Sequence, residues 1–318
     1  MPSPGRICIF LAGGIGDFVA AVPAMVLLRQ NFPLGRVVLV GNPVWLPLAR
    51  ECALADQTRS IDDLPFHAGF MSSLPKEHPL SRFLAGFDLI ISWFGDREGQ
   101  WEATLRRTSP GKVLVHPFHR VHAFPGHVSD YYLATLQEMG LREREEDGLG
   151  RHPLLRMRNR ALTKTTNGRE KPSDDRPFLC LHPGSGSEHK NWPKEDFLEV
   201  ALGAFRSWRL PCTVLIGPAE EGQRTFWAKA SGPSLSPREG LSILEVSRVL
   251  HSATLYVGND SGITHLAAAL GVPVVALFGP TDPGRWAPLG SGVEILLQPI
   301  SPQEVLAALG RFHSSIIL

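Results

Sequence analysis

The chain is poor in cysteine, in net charge and in long apolar runs, and each shortage excludes a class of protein. Its 318 residues hold four cysteines, Cys8, Cys52, Cys180 and Cys212, widely spaced and without a C-x-x-C pair, which argues against a disulfide framework. Three of them sit in apolar strand-like runs and read as small core residues of a reducing compartment. Thirty-two Lys and Arg against 31 Asp and Glu leave a net charge of +1, too little for wholesale nucleic-acid binding, so an anionic partner must be met by local charge. No stretch reaches the roughly 18 unbroken apolar residues of a spanning helix, and the apolar run within Met1 to Gly14 is too short for a signal peptide. These shortages predict a soluble cytoplasmic protein, resting at most on a membrane and expected as a monomer.

What is present is enough apolar material, 43%, for two domains with cores of their own. Each half opens with an apolar strand, a glycine-containing loop and a helix: Ile7 to Leu11 before Gly13-Gly14-Ile15-Gly16-Asp17, and Phe178 to Leu181 before His182-Pro183-Gly184-Ser185-Gly186. In the first half, strands at Val37 to Val40, Asp88 to Ser92 and Val113 to Val115 alternate with helices at Phe18 to Gln30, Trp45 to Cys52 and Ser129 to Met139. In the second, helices at Lys194 to Ser207, Glu220 to Ala230 and Leu244 to Leu250 alternate with strands at Cys212 to Ile216, Leu255 to Val257 and Val274 to Phe278. The expected organisation is α/β: two Rossmann-like domains, 1–160 and 177–300, joined by a polar linker over 161–176. A last helix within 301–318 is placed so that it could pack back on the first domain.

The most informative run is Leu255 to Asp282, LYVGNDSGITHLAAALGVPVVALFGPTD. A buried strand, the turn Asn259-Asp260-Ser261-Gly262, a helix ended by Gly271 and Pro273, and a second strand make a unit whose helix N-terminus suits an anion. The first loop is less specific. Gly14-x-Gly16 opens a helix, but Val19 replaces the third glycine of a dinucleotide fingerprint, and Gly41-Asn42 follows the second strand where an acidic ribose ligand is wanted. Asp17 lies in the first helical turn, where a carboxylate serves the helix dipole; facing a cleft, it could also take a proton from an attacking hydroxyl. Ser185, Gly186 and Lys190 together make a diphosphate cradle, and Glu220 or Glu221 either bonds a ribose hydroxyl or simply caps a helix.

Asp260-Ser261-Gly262 with His265, the run Gly279-Pro280-Thr281-Asp282, the block Lys190-Asn191-Trp192-Pro193, and Gly16-Asp17 with Pro23 resemble glycosyltransferase family 9, the ADP-heptose lipopolysaccharide heptosyltransferases. The resemblance spans nearly the whole chain. It implies the GT-B fold, two Rossmann-like domains facing across a central cleft, with the acceptor on the first and the donor nucleotide on the second. It also implies inverting, metal-independent transfer of heptose from ADP-L-glycero-β-D-manno-heptose to the lipopolysaccharide inner core, with ADP as product and no cofactor. Position by position, Asp17 matches the family's catalytic base and Lys190 the lysine that neutralises the diphosphate. Asp260 matches the ligand of the sugar hydroxyls; Ser185, Gly186, Ser261 and Gly262 match the phosphate contacts; Glu221, or its neighbour Glu220, and Leu241 fall at the nucleoside. His265, one turn after Asp260, reads as structural.

Two features depart from the family. Before the Gly-Asp pair the heptosyltransferases often carry a basic residue and serines, where this chain has Phe10-Leu11-Ala12-Gly13-Gly14, so Gly14 stands at an altered acceptor site. From Arg97 to His127 the chain carries Arg97, Arg106, Arg107, Lys112 and Arg120 with four histidines against only Glu98 and Glu102. That stretch is either an ordinary solvated surface or a site for an anionic glycolipid acceptor near the inner membrane. The run His116, His119, His122 lacks the cysteines and helical spacing of a zinc site. Three rival readings remain. A family 9-like enzyme could use another nucleotide sugar or acceptor; a dehydrogenase would need the missing acidic residue; a non-catalytic nucleotide-sugar-binding protein would have no need of Asp17.

Overall fold

The computed structural model describes residues 4–63, 65–71, 73–142, 154–157 and 176–317. Its contacts divide the chain into two compact units, Met1–Gly148 and Leu149–Leu318, so the division falls short of the expected boundary at 160. Of the expected linker, 161–175 lies outside the described residues.

The first unit runs β1 (Arg6–Leu11), α1 (Ile15–Asn31), β2 (Arg36–Gly41), α2 (Leu46–Glu51), β3 (Gln57–Ser60), α3 (Pro79–Leu84), β4 (Leu89–Ser92), α4 (Gln100–Thr108), β5 (Lys112–Val115) and α5 (Val128–Gln137). Its strands are all parallel in the order β3-β2-β1-β4-β5. β1, β2 and β4 are almost wholly buried, as expected of strands covered on both faces. On one face Cys8, Phe10, Val38, Val40 and Ile90 pack against Leu80, Leu84, Trp101 and Leu105 of α3 and α4. Phe10 meets Phe66, Phe94 and Trp101 edge to face at 5.1–5.8 Å. α1, with ten buried residues, packs on α5.

The second unit runs β6 (Leu179–His182), α6 (Lys194–Trp208), β7 (Cys212–Ile216), α7 (Arg224–Ala230), β8 (Leu235–Glu239), α8 (Ile243–Ser252), β9 (Leu255–Asn259), α9 (Gly262–Ala269), β10 (Val274–Phe278), α10 (Pro283–Trp286), β11 (Val293–Leu297) and α11 (Pro302–Ile317). Its parallel order is β11-β10-β9-β6-β7-β8. The closing helix α11 packs on α6, and Val305, Ala308 and Leu309 belong to the core of the second unit. Gly203 of α6 makes that approach possible, since a Cβ there would stand 2.6 Å from Leu306 of α11. The four cysteines are free thiols, three buried in β1, β6 and β7 and Cys52 just past α2.

Candidate functional site

In both units the chain leaves the central strand on one side and returns on the other, which opens a crevice at the carboxyl ends of the two middle strands. In the second unit those strands are β6 and β9, and the loops after them carry most of the predicted residues. Asn259, fully buried, ties the loops together: its Nδ2 donates to the Pro183 carbonyl at 2.7 Å and its Oδ1 accepts from Trp192 N at 3.0 Å. Ser261 caps α9 in an extended conformation, its hydroxyl accepting from Thr264 N at 3.4 Å. The backbone N–H groups that open the helix therefore stand at the crevice. Ser185 Oγ donates to the Ser187 carbonyl at 2.7 Å, which closes the loop across Gly186.

Lys190 and Asp260, assigned separate duties by resemblance, are paired in the structure. Lys190 Nζ donates to Asp260 Oδ2 at 2.7 Å. Thr281 Oγ1 donates to the same oxygen at 2.6 Å, and His265 Nε2 stands 3.6 Å from Asp260 Oδ1. Burial pushes the Asp260 carboxyl up, but the bonds from His265, Lys190 and Thr281 and the lysine charge outweigh it and hold the group at about 2. Asp260 is thus a fixed anion, 5% exposed, at the mouth of the crevice. Lys190 has 30% of its side chain exposed, and its ammonium has three donors, so it keeps N–H groups for a second partner.

Behind this pair lies a buried polar chain. His182, the last residue of β6, has Nδ1 3.5 Å from Ser261 Oγ and Nε2 3.6 Å from Glu220 Oε2. Ser261 Oγ and Thr264 Oγ1 are 3.1 Å apart, and Tyr256 Oη is 3.0 Å from Thr264 Oγ1. Glu220 is turned inward, 3% exposed, accepting from Gly217 N at 2.8 Å and filling the place where Gly184 would carry a Cβ. Burial pushes the Glu220 carboxyl up, yet the His182 bond and charge and the backbone N–H groups outweigh it and hold the group below its usual range. Of the two acids read at the nucleoside, Glu221 is therefore the outward one; it pairs with Arg224 at 3.2 Å. Leu241 is half-buried just before α8.

In the first unit Asp17 is the third residue of α1, and its Oδ2 accepts from Gly14 N at 2.7 Å, which satisfies the N–H of the N-cap residue. Gly13 has no room for a Cβ because the Asp17 side chain lies there. The loop is also held from β2's side: Trp45 stacks on Phe18 at 4.7 Å and its indole N–H donates to the Gly13 carbonyl at 2.9 Å. Beneath it is a residue the sequence did not flag. Tyr132 of α5 is fully buried against Trp93 at 5.0 Å, and its hydroxyl has no hydrogen-bond partner among the described residues. Burial, and then the charge of Asp17, push that hydroxyl well above its usual range, so it stays protonated.

The predicted cationic stretch is partly spent internally. Arg106 Nε and Nη2 both donate to Glu102 Oε1, at 2.9 and 2.7 Å, and Arg107 donates to Thr104 Oγ1 at 3.3 Å. Arg97 and Arg120 are exposed, and His116 is 3.0 Å from Glu138. No group of three or more His, Cys, Asp or Glu suited to a metal ion occurs among the described residues, and no described helix is long and apolar enough to cross a membrane.

Comparison with known proteins agrees with this layout. The family model for glycosyltransferase family 9 (heptosyltransferase) matches residues 112–311. The chain belongs to that family. Lipopolysaccharide heptosyltransferase 1 of Pseudomonas aeruginosa is 37% identical over 34% of this chain, a stretch that spans only 30% of the relative. Lipopolysaccharide heptosyltransferase 3 of Escherichia coli K12 is 22% identical over 86% of this chain and 82% of its own length. The solved structure of E. coli heptosyltransferase WaaC with ADP superposes with a TM-score of 0.69 at 19% identity, covering 96% of this chain and 99% of that one. The fold is GT-B, two parallel-sheet α/β domains, as in that heptosyltransferase structure.

Proposed function

We propose that this chain is an inverting glycosyltransferase that moves heptose from ADP-L-glycero-β-D-manno-heptose to the lipopolysaccharide inner core. The observation that carries this reading is the convergence of Lys190, Asp260, Thr281 and the capped start of α9 at the switch point of the second sheet. Heptosyltransferase relatives and the structure of E. coli heptosyltransferase WaaC with ADP support the donor class.

In the proposed reaction an acceptor hydroxyl oxygen attacks the anomeric carbon while the bond from that carbon to the ADP oxygen breaks, which inverts the centre. Asp17 takes the hydroxyl proton, and the electron pair of the broken bond leaves on ADP. The spare N–H groups of Lys190 and the N–H groups at Ser261 and Gly262 stabilise that charge, with Ser185 and Gly186 lining the same loop. Asp260, ionised and fixed, accepts from sugar hydroxyls. Glu221 and Leu241 face the nucleoside, and Arg97, Arg106, Arg107, Arg120 and Gly14 are assigned to an anionic glycolipid acceptor. The bond from Gly14 N engages Oδ2 alone, so Asp17 can keep it while the carboxylate takes the proton.

Asp17→Ala is expected to lower transfer by at least about 10²-fold, the usual scale of a positioned base, while leaving ADP affinity nearly unchanged. Transfer assays with truncated core acceptors and calorimetry with ADP check both halves. A variant that keeps most of its turnover removes Asp17 from the mechanism. Calorimetry with ADP-heptose, ADP-glucose and UDP-GlcNAc tests the donor, and preference for UDP-GlcNAc would overturn that assignment.

A further inference from the structure

The first unit holds a second cationic feature, remote in sequence from the stretch between Arg97 and His127. Arg6 opens β1, Arg59 lies in β3 and Arg50 in the last turn of α2, and the three border a cavity of about 310 Å³. That volume is at the lower end of small-ligand sites. The strand register places Arg6, Val38 and Arg59 on one face of the sheet, with Val38 as the floor. Phe83 of α3 and Phe87 form the wall. They also fix the guanidinium groups: Arg6 lies over the Phe87 ring at 5.1 Å and Arg59 over Phe83 at 5.2 Å. A guanidinium stacked on a ring keeps its N–H edge for an in-plane acceptor.

Charge in the cavity is unbalanced. None of the three arginines has a carboxylate partner within ion-pair distance among the described residues. The one lining carboxylate, Asp56, is already engaged: its Oδ2 accepts from Arg29 at 2.9 Å and from Val37 N at 2.7 Å. Gln57 and Thr58 add neutral polar groups to the rim. This contrasts with Arg106, which closes on Glu102. Three arginine forks around a small cavity match the three terminal oxygens and the double charge of a phosphate monoester better than a single carboxylate.

We propose that this pocket binds a phosphate monoester dianion, carried either by a small soluble compound or by a lipid headgroup. The proposal does not depend on the transfer reaction. It is tested on the full chain with ADP present, so that free phosphate does not report on Lys190 and Ser261. Inorganic phosphate is titrated by calorimetry, and sedimentation is followed with phosphatidylcholine vesicles containing or lacking phosphatidic acid. Wild type is expected to bind at least one probe saturably, and Arg50→Gln/Arg59→Gln to weaken it at least about tenfold, the scale of one charge-assisted hydrogen bond. Arg50→Lys/Arg59→Lys, which keeps the charge and loses the forks, is expected to fall between. Phosphate binding without phosphatidic-acid-dependent sedimentation assigns a soluble ester; sedimentation lost in the Gln variant assigns a headgroup. The proposal is overturned if wild type binds neither probe, or if the Gln variant, with its melting temperature unchanged, binds as wild type does. Should ADP fail to bind at all, the donor reading falls, yet the comparison of wild type with the Gln variant still isolates the pocket.

Discussion

At Asp260 two effects oppose each other, and the outcome sets a measurable pH window. Burial favours the neutral acid, but Lys190, Thr281 and His265 hold the carboxylate at about 2, below its ordinary 3.8. A carboxyl depressed in the folded state stabilises the fold above its unfolded value and loses that contribution as pH falls through the folded one. Asp260→Asn is therefore expected to cost about 2 kcal/mol near neutrality, a difference that shrinks as pH falls from about 4 to about 2. Urea unfolding of both proteins across that range checks it; a gap independent of pH would contradict the ion-pair account. Residue identity was the most legible level of the site. Asp17, Lys190, Asp260 and Ser261 are visible in the chain because they sit at turns following apolar strands. What the chain did not show was their pairing: Lys190 and Asp260 are 70 positions apart and meet only because β6 and β9 are neighbours. The inward turn of Glu220 was hidden for the same reason, since its partner His182 lies on another strand.

Among elements, the ones legible in the sequence share an environment, and so do those missed. β1, β2, β4, β6, β7, β9 and β10 were found as apolar runs, because a parallel strand covered on both faces is apolar throughout, and the edge strand β5 was found as well because Val113-Leu114-Val115 is apolar. β3, β8 and β11 escaped. All three are sheet edges with half-wet side chains, such as Gln57-Thr58-Arg59-Ser60, and lack the unbroken run. α3 and α4 were also missed; α3 has only six residues, and α4 mixes Trp101, Thr104 and Leu105 with five polar or charged neighbours. The packing of α11 on α6 was not legible, because an amphipathic helix announces a buried face without naming its partner. That partner is now testable. Gly203→Val is expected to force α6 and α11 apart and to cost about 1–3 kcal/mol, the usual scale of overpacking. Chemical denaturation measures the loss, and an unchanged midpoint would mean that α11 does not pack there.

For the whole molecule, the two units have the same wiring with different contents: one loop caps itself with Asp17, the other gathers a lysine, a buried aspartate and a helix start. Ligand response should follow that division. ADP is expected to slow hydrogen exchange about residues 184–190 and 260–264 while leaving β1, β2 and α1 nearly unaffected. Peptide-resolved exchange with and without ADP decides, and protection centred on the first unit would relocate the nucleotide. The cysteines add a practical consequence. Burial pushes the thiols of Cys8, Cys180 and Cys212 upward, and Cys52 is raised to about 12, so the native chain presents almost no thiolate to alkylating reagents near neutral pH. It is thus a nearly silent background for site-directed labelling. A single cysteine introduced at exposed Leu34, or one on each unit, would carry a fluorophore or spin label without first stripping the wild-type thiols from the two sheets.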